Sequence, residues 1–133
     1  MNAPRVGCGA AIVDQGRILL VKRRRPPEAG HWSLPGGKVD FLEPVEDAIR
    51  REVNEETGLT VRLLRPLQLT QMIGLDGQHW VSPVYLACPT AGSAANSEPE
   101  KADEVAWFAL EAPPAPLSQA AREAIAAVRG LAS

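Results

Sequence analysis

The 133 residues predict an α/β fold, a mixed β-sheet sandwiched between helices (α/β/α), and three observations carry that prediction. Six short runs read as strands from their alternation and apolar content, whereas only two segments carry a helical apolar stripe. One helix falls among the strands and the other closes the chain, an order that sets a mixed sheet between helices. Neither an internal repeat nor a break in composition divides residues 1–133, so a single domain is expected, long enough to bury a real core.

Val6–Asp14 and Arg17–Lys22 are strand-like runs split by Gln15-Gly16, which reads as a hairpin turn. Arg23–Gly30 is polar and contains prolines, hence a loop. Residues 38–42 are expected to form a short strand, followed by a helix from about residue 44 to 57. Pro44 suits the first turn, where its missing N–H is unpaired anyway. Gly58 is placed to end the helix with positive φ. Thr60–Met72 and His79–Ala87 read as two further strands joined by a turn at Gly74-Leu75-Asp76-Gly77. Pro89–Ala102 is small, polar and proline-bearing, so a mobile loop is expected. Val105–Leu110 is a last short strand. After Pro113-Pro114-Ala115-Pro116, Ser118 can cap a second helix whose stripe is Ala121, Ile125 and Val128.

With 14 basic and 16 acidic residues the net charge is −2, so the chain shows no basic footprint for duplex nucleic acid. Its start, MNAPRVGCGA, lacks the pattern of an export leader, and the apolar runs are too short to span a bilayer. Cys8 and Cys88 lack CxxC spacing and sit in strand-like contexts, so buried thiols are expected, in keeping with a cytoplasmic location.

The densest signal is Gly37 to Leu59, GKVDFLEPVEDAIRREVNEETGL. At about 100° per residue, Glu52, Glu55 and Glu56 fall within roughly a 100° arc of one helix face. Like charges that close raise one another's pKa, and a hard divalent cation among them relieves the repulsion. Oxygen donors suit Mg²⁺ or Mn²⁺, and no Cys or His is spaced for zinc. Val45, Ile49 and Val53 form the adjoining stripe towards a core, with Asp47, Arg50, Asn54 and Thr57 expected on the far, watery side. Arg51 lies one turn before Glu55 and can hold that carboxylate. Upstream, Leu34-Pro35-Gly36-Gly37 lets main-chain groups approach a metal or a phosphate closely.

This segment satisfies every fixed position of G-x5-E-x7-R-E-U-x-E-E-x-G-U, with Gly37, Glu43, Arg51, Glu52, Glu55, Glu56 and Gly58 in place, and the chain is identified by it as resembling a Nudix hydrolase. The resemblance implies the Nudix fold, an α/β/α sandwich, over essentially the whole chain. It also implies Mg²⁺-dependent hydrolysis of a nucleoside diphosphate linked to a second moiety, with Mn²⁺ as a substitute and a nucleotide as the small-molecule partner. Residue by residue, it makes Glu52 and Glu56 metal ligands and Glu55 either a ligand or the base acting on water. The carbonyl of Gly37, or of Gly36, would complete the coordination. Arg51 would orient the glutamates, and Glu43 would support loop and helix. Many relatives add a glutamate from a later loop. Glu100 is the favoured candidate here, with Glu98 and Glu104 as alternatives. Small relatives often form dimers, so a homodimer stays open.

Outside the motif, Arg23, Arg24 and Arg25 form a basic cluster with Lys22 that either contacts distal phosphates or solubilises a loop. Trp32 either stacks on a base or packs beneath the glycine loop. Gln71 or Met72, His79 and Trp80 lie on strands suited to wall a nucleoside pocket, and alternation allows only one set to face it. Signatures of the relatives' ADP-ribose, dinucleoside-polyphosphate, NADH and coenzyme A groups are absent. GHWSLPGG, QHWVSPVY and EPEKADEVAWF look like stretches of nucleotide-pool-cleaning relatives. A (d)NTP cleaved to (d)NMP and pyrophosphate is therefore the expected substrate. ADP-ribose or another nucleoside-diphosphate derivative is the alternative, and a silent nucleotide-sensing module a third reading.

Overall fold

The computed structural model of the chain describes residues 2–131. Its strands are β1 (Arg5–Asp14), β2 (Arg17–Arg23), β3 (Trp32–Ser33), β4 (Gly36–Lys38), β5 (Thr60–Ile73), β6 (His79–Ala91) and β7 (Ala102–Ala109), and its helices α1 (Val45–Thr57) and α2 (Gln119–Leu131). The strands form one sheet in the order β3-β2-β1-β6-β5, with β4 also beside β1 and β7 beside β2. β1 and β6 run parallel and the other pairings are antiparallel, so the sheet is mixed. β1 organises it. Its end pairs with β2 through Val13 and Ile18, and its start pairs with the glycine strand β4 through Cys8 and Gly37.

Alternation along β1 supplies both faces. Ala10 and Ile12 pack with Ala48, Ile49 and Val53 of α1, whereas Ala11 packs with Ala121, Ala124, Ile125 and Val128 of α2. The sheet thus lies between two helices, as expected. Full burial of Ile49 and Val53 contributes roughly 1.5–3 kcal/mol each and clamps α1 against β1. α1 starts beside Pro44, carries Glu46 and Asp47 in its first turn where the helix dipole favours anions, and stops at Gly58 with φ 79°. α2 starts where Ser118 Oγ accepts the Ala121 N–H at 3.1 Å. Among the described residues no helix is long and apolar enough to cross a membrane. Both cysteines are unpaired, Cys8 buried and Cys88 half-buried.

The structure corrects four local expectations. The strand expected at 38–42 sits at Gly36–Lys38, because the β1 edge pairs with the glycines, and Phe41 and Leu42 turn outwards at 91% and 85% exposure. β3 was not anticipated; two residues are too few to show a period. β6 continues through Pro89 to Ala91, because that proline, which has no N–H to donate, lies opposite Val61 where the ladder shifts register between Thr60 and Val61, so the loop shortens to residues 92–101. That loop is anchored to the end of α1, where Ala95 N–H donates to Thr57 O and Ser97 N–H to Glu56 O. Finally, Thr57 is fully buried rather than watery. Its hydroxyl donates to Val53 O at 2.7 Å and accepts the Leu59 N–H at 3.2 Å, closing the last turn internally.

Candidate active site

The glycine strand is where α1 meets the sheet. A side chain at Gly36 would collide with the Cys8 carbonyl and, at 2.7 Å, with Gly9 Cα, so only glycine lets β4 lie this close to β1. A side chain at Gly37 would instead strike the Glu52 carboxylate. Gly36 N–H donates to Glu56 Oε1 at 3.0 Å. The two glutamates one turn apart on α1 are therefore held against the main chain of β4.

Arg51 governs the outer side of this cluster. It makes a paired contact with Glu43, Nε to Oε2 at 2.8 Å and Nη2 to Oε1 at 2.9 Å, and donates to Glu52 Oε1 at 2.7 Å and to Lys38 O at 3.0 Å. Its contacts to Glu55 are longer, 3.4 and 3.5 Å. The spacing predicted Glu55 as the partner; the tighter partners are Glu43 and Glu52. A fork-to-fork guanidinium–carboxylate pair is worth more than a single contact, and Glu43 reaches back from the turn before α1 to make it. The Arg51 guanidinium holds the Glu43 carboxyl down at about 2, and Glu43 in turn strengthens the protonation of Arg51.

The inner glutamates behave oppositely. Burial pushes Glu56 up to about 8; the Gly36 N–H opposes that rise, and the neighbouring charges of Glu52 and Glu98 add to it. Burial also raises Glu52, against the pull of Arg51. Glu52, Glu56 and Glu98 line one cavity of about 290 Å³ together with Gly36, Gly37 and Lys38. Glu98 Oε1 is buried there without a hydrogen-bond partner. Glu100 is exposed and does not line the cavity, so the later-loop glutamate that faces the cluster is Glu98. The physical reason is that Glu98 opens a turn: its carbonyl accepts from Lys101 and Ala102 N–H, which points Glu100 outwards. Glu104 lies on β7 opposite Lys22, also outside the cavity. Glu55 stands at the rim, 42% exposed.

Among the described residues, no three acidic, histidine or cysteine side chains are already drawn together at metal-ligand spacing. The donor chemistry nonetheless fits a hard cation. The set is all oxygen and one carboxylate oxygen is orphaned; Arg51, the Gly36 N–H and Lys101, 3.5 Å from Glu98 Oε2, each meet one of the three half-buried carboxylates, and a hard cation would offset the charge that remains. Glu52 and Glu56, with a glycine carbonyl of β4, would hold it, with Glu98 lining the same cavity beside them.

A second cavity of about 190 Å³ shares Arg23, Leu34, Gly36, Gly37 and Lys38 with the first. Its far wall is Thr70 and Met72 of β5 with Trp80, Ser82 and Val84 of β6. Strand parity thus selects Met72 and Trp80, and places His79 and Gln71 on the opposite face, which removes His79 from the expected binding set. Trp80 is steadied by Gln78 Oε1, which accepts its Nε1–H at 2.7 Å, and by the Arg5 guanidinium 5.5 Å from its ring. Trp32 is removed as well. It is 7% exposed and packs edge-on against Phe108 with centroids 4.8 Å apart, beneath the glycine loop.

The arginine cluster divides. Arg23 lines both cavities, with Nε donating to Pro27 O at 2.7 Å, and burial lowers its pKa. Arg25 lines the acidic cavity. Arg24 turns away to bond Pro99 O at 3.0 Å and Asp103 at 3.4 Å, a structural tie between loops. Lys38 and Glu28, both cavity residues, were not singled out from the sequence. Lys38 was foreseeable as the residue after the paired glycines, whereas nothing local marks Glu28.

Comparison with known proteins shows the family. The family model described as NUDIX domain matches residues 1–128. The crystal structure of a MutT NUDIX hydrolase from Burkholderia pseudomallei superposes with a TM-score of 0.91 at 52% identity, covering 96% of this chain and 99% of that one. The human 8-oxo-dGDP phosphatase NUDT18 is 32% identical over 108 residues, which are 80% of this chain but 32% of that protein. The ADP-ribose pyrophosphatase of Methanocaldococcus jannaschii is 37% identical over 84 residues, 62% of this chain and 50% of its own length. The chain therefore spans a third to a half of the length of these two curated relatives.

Proposed function

This chain belongs to the NUDIX family, and from that premise we propose that it is a Mg²⁺-dependent pyrophosphohydrolase that cleaves a (d)NTP to (d)NMP and pyrophosphate. The observation that carries the reading is the pair of cavities with a common wall. One presents carboxylates and the other an indole and a thioether, and Arg23, Gly36, Gly37 and Lys38 lie between them. A nucleoside fits the apolar side, and a phosphate chain crossing the shared wall meets Lys38, Arg23 and Arg25 with the acidic cluster beyond.

A divalent cation held by Glu52 and Glu56 would screen the phosphate charge, acidify water and stabilise the leaving oxygen. The chain's own residues do the rest. Arg51 keeps Glu52 pointed at β4, and Gly36 N–H does the same for Glu56. Arg23 and Lys38 orient the phosphates, while Met72, Trp80 and Leu34 exclude water from the nucleoside side. In the reaction the water oxygen bonds to one phosphorus, the bridging P–O bond breaks, and a carboxylate accepts the water proton. Glu98, inside the cavity, is better placed to take that proton than Glu55 at the rim.

An assay of Mg²⁺-dependent turnover on dNTPs, NTPs, 8-oxo-dGTP, 8-oxo-dGDP, ADP-ribose and diadenosine polyphosphates tests the reading. Release of pyrophosphate from a triphosphate is the expected outcome. Turnover of ADP-ribose alone would move the assignment to the alternative that the archaeal relative suggests. Tight binding without turnover of any compound would make the chain a sensor.

A further inference from the structure

The residue-scale feature that no sequence signal marked is Glu28, and it stands at the nucleoside cavity rather than at the phosphate cluster. Two contacts fix it. Its backbone, at φ 61°, is held by the β5–β6 turn, where Asp76 Oδ2 accepts the Glu28 N–H at 3.0 Å. Its Oε2 accepts the Gln119 N–H at 2.9 Å, at the start of α2. Among the described residues Oε1 takes no hydrogen bond, and the side chain lines the cavity walled by Trp80, Met72 and Leu34. Of the other polar wall groups, Thr70 Oγ1 is spent, donating to Glu123 Oε1 at 2.9 Å and accepting from Gln68 Nε2 at 2.9 Å; Ser33 Oγ accepts from Ser118 Oγ at 2.9 Å, Arg23 and Lys38 lie on the wall shared with the acidic cavity, and the Ser82 hydroxyl, which can donate or accept, sits on β6.

The pocket therefore offers a largely apolar wall of Trp80, Met72 and Leu34 with one carboxylate, Glu28, fixed at its edge, whose remaining lone pairs can only accept. A carbonyl placed there would oppose another oxygen, whereas two adjacent N–H donors would be gripped as a fork. Of the common bases, guanine alone presents two adjacent N–H donors on one edge, at N1 and the 2-amino group. Adenine and cytosine set an amino group beside an acceptor nitrogen, and thymine flanks its N–H with carbonyls. We propose that Glu28 is a specificity-determining residue of this cleft, selecting guanine-type nucleotides by accepting their N1–H and 2-amino hydrogens. The inference rests on the nucleoside-triphosphate reading above and adds the base to it.

Two measurements test it. With the wild-type protein, dITP keeps N1–H and lacks only the 2-amino group, so its kcat/KM is expected to fall on the order of 10-fold or more below that of dGTP, while dTTP falls further. In Glu28→Gln, the Gln119 N–H still needs an acceptor, so the amide oxygen stays on α2 and the amide NH₂ faces the slot. That exchange turns an acceptor wall into a donor wall. KM for dGTP should rise about 10- to 100-fold while KM for dTTP stays level or falls, with kcat for dTTP little changed. A merely structural role would move both substrates together. Equal kcat/KM for dGTP and dITP in the wild type, or parallel changes for dGTP and dTTP in the variant, would overturn the proposal. The dITP comparison needs no variant, so a poorly folding Glu28→Gln leaves the test intact. Absence of turnover on every triphosphate would instead sink the pyrophosphohydrolase reading itself, a different failure.

Discussion

Two glutamates two residues apart, Glu98 and Glu100, show how residue-scale geometry separates chemistry from decoration. Both precede β7 in a run whose charges look alike in sequence, yet Glu98 Oε1 is buried and unpartnered beside Glu56, and Glu100 is in solvent. If Glu98 takes the proton of the attacking water, Glu98→Gln keeps the shape and loses the base. Its kcat under saturating Mg²⁺ should drop about 10²- to 10⁴-fold, whereas Glu100→Gln should stay within about threefold. Steady-state kinetics on the two variants decide it, and the reverse ordering would return the role to Glu100. The residue-scale lesson is one of direction. Spacing told which acids occur near the site, but the turn that starts at the Glu98 carbonyl decides which one enters.

At the scale of elements, α1 was legible because its signals are local and agree: Pro44 before it, an apolar stripe through Ile49 and Val53, and Gly58 after it. The hairpin at Gln15-Gly16 and the Ser118 cap were legible for the same reason. Thr57 was misplaced because a wheel treats every polar residue as outward, while the end of α1 buries it and satisfies its hydroxyl within the chain. The sequence leaves open whether Trp32 packs or stacks and which of His79 and Trp80 faces the cavity, because that facing depends on partners far away in sequence; the structure packs Trp32 on Phe108 and turns Trp80 to the cavity. β5 carries register shifts between Leu63 and Arg65 and between Pro66 and Gln68, and each shift resets the face that later residues present. The β4–α1 junction yields a prediction of its own. Gly37→Ala drives a methyl into the Glu52 carboxylate, a flexible end that can swing away, so the fold should survive. The cation site should not: Mg²⁺ affinity, read by titration calorimetry, should weaken about 10- to 100-fold. Gly36→Ala meets the backbone of Cys8 and Gly9, which cannot swing, and should lower the melting temperature instead. Equal Mg²⁺ affinity in Gly37→Ala and wild type would show that Glu52 does not hold the ion.

For the whole molecule, the acidic cluster is expected to tie stability to pH and, on the cation site proposed above, to Mg²⁺. Without metal, burial holds Glu56 up at about 8, far above an unfolded glutamate, so the folded state carries a proton that the unfolded state has released across the interval between. Where the native state binds more protons, stability falls as pH rises. The contribution is therefore full below about pH 4.3 and is lost progressively up to about pH 8. Glu52, also raised, acts with the same sign. Glu43, held at about 2, acts with the opposite sign, but its stabilisation is lost only on acidification below the usual carboxylate range, outside this window. In EDTA the melting temperature should thus fall between pH 5 and 8.5, on the order of 10 °C for a loss of a few kcal/mol in a domain this size. Mg²⁺ at pH 8 should reverse the fall, because a cation binds the ionised carboxylates of the native state alone and displaces the Glu56 proton. Glu56→Gln removes the more strongly raised of the two glutamates, so its melting temperature should fall much less over the same interval and respond far less to Mg²⁺. Calorimetry in two buffers of different ionisation enthalpy would count the proton released by the wild type and a smaller release by the variant. A wild-type curve as flat as that of Glu56→Gln, with and without Mg²⁺, would mean that the buried carboxylates on successive turns of α1 are not the cation site.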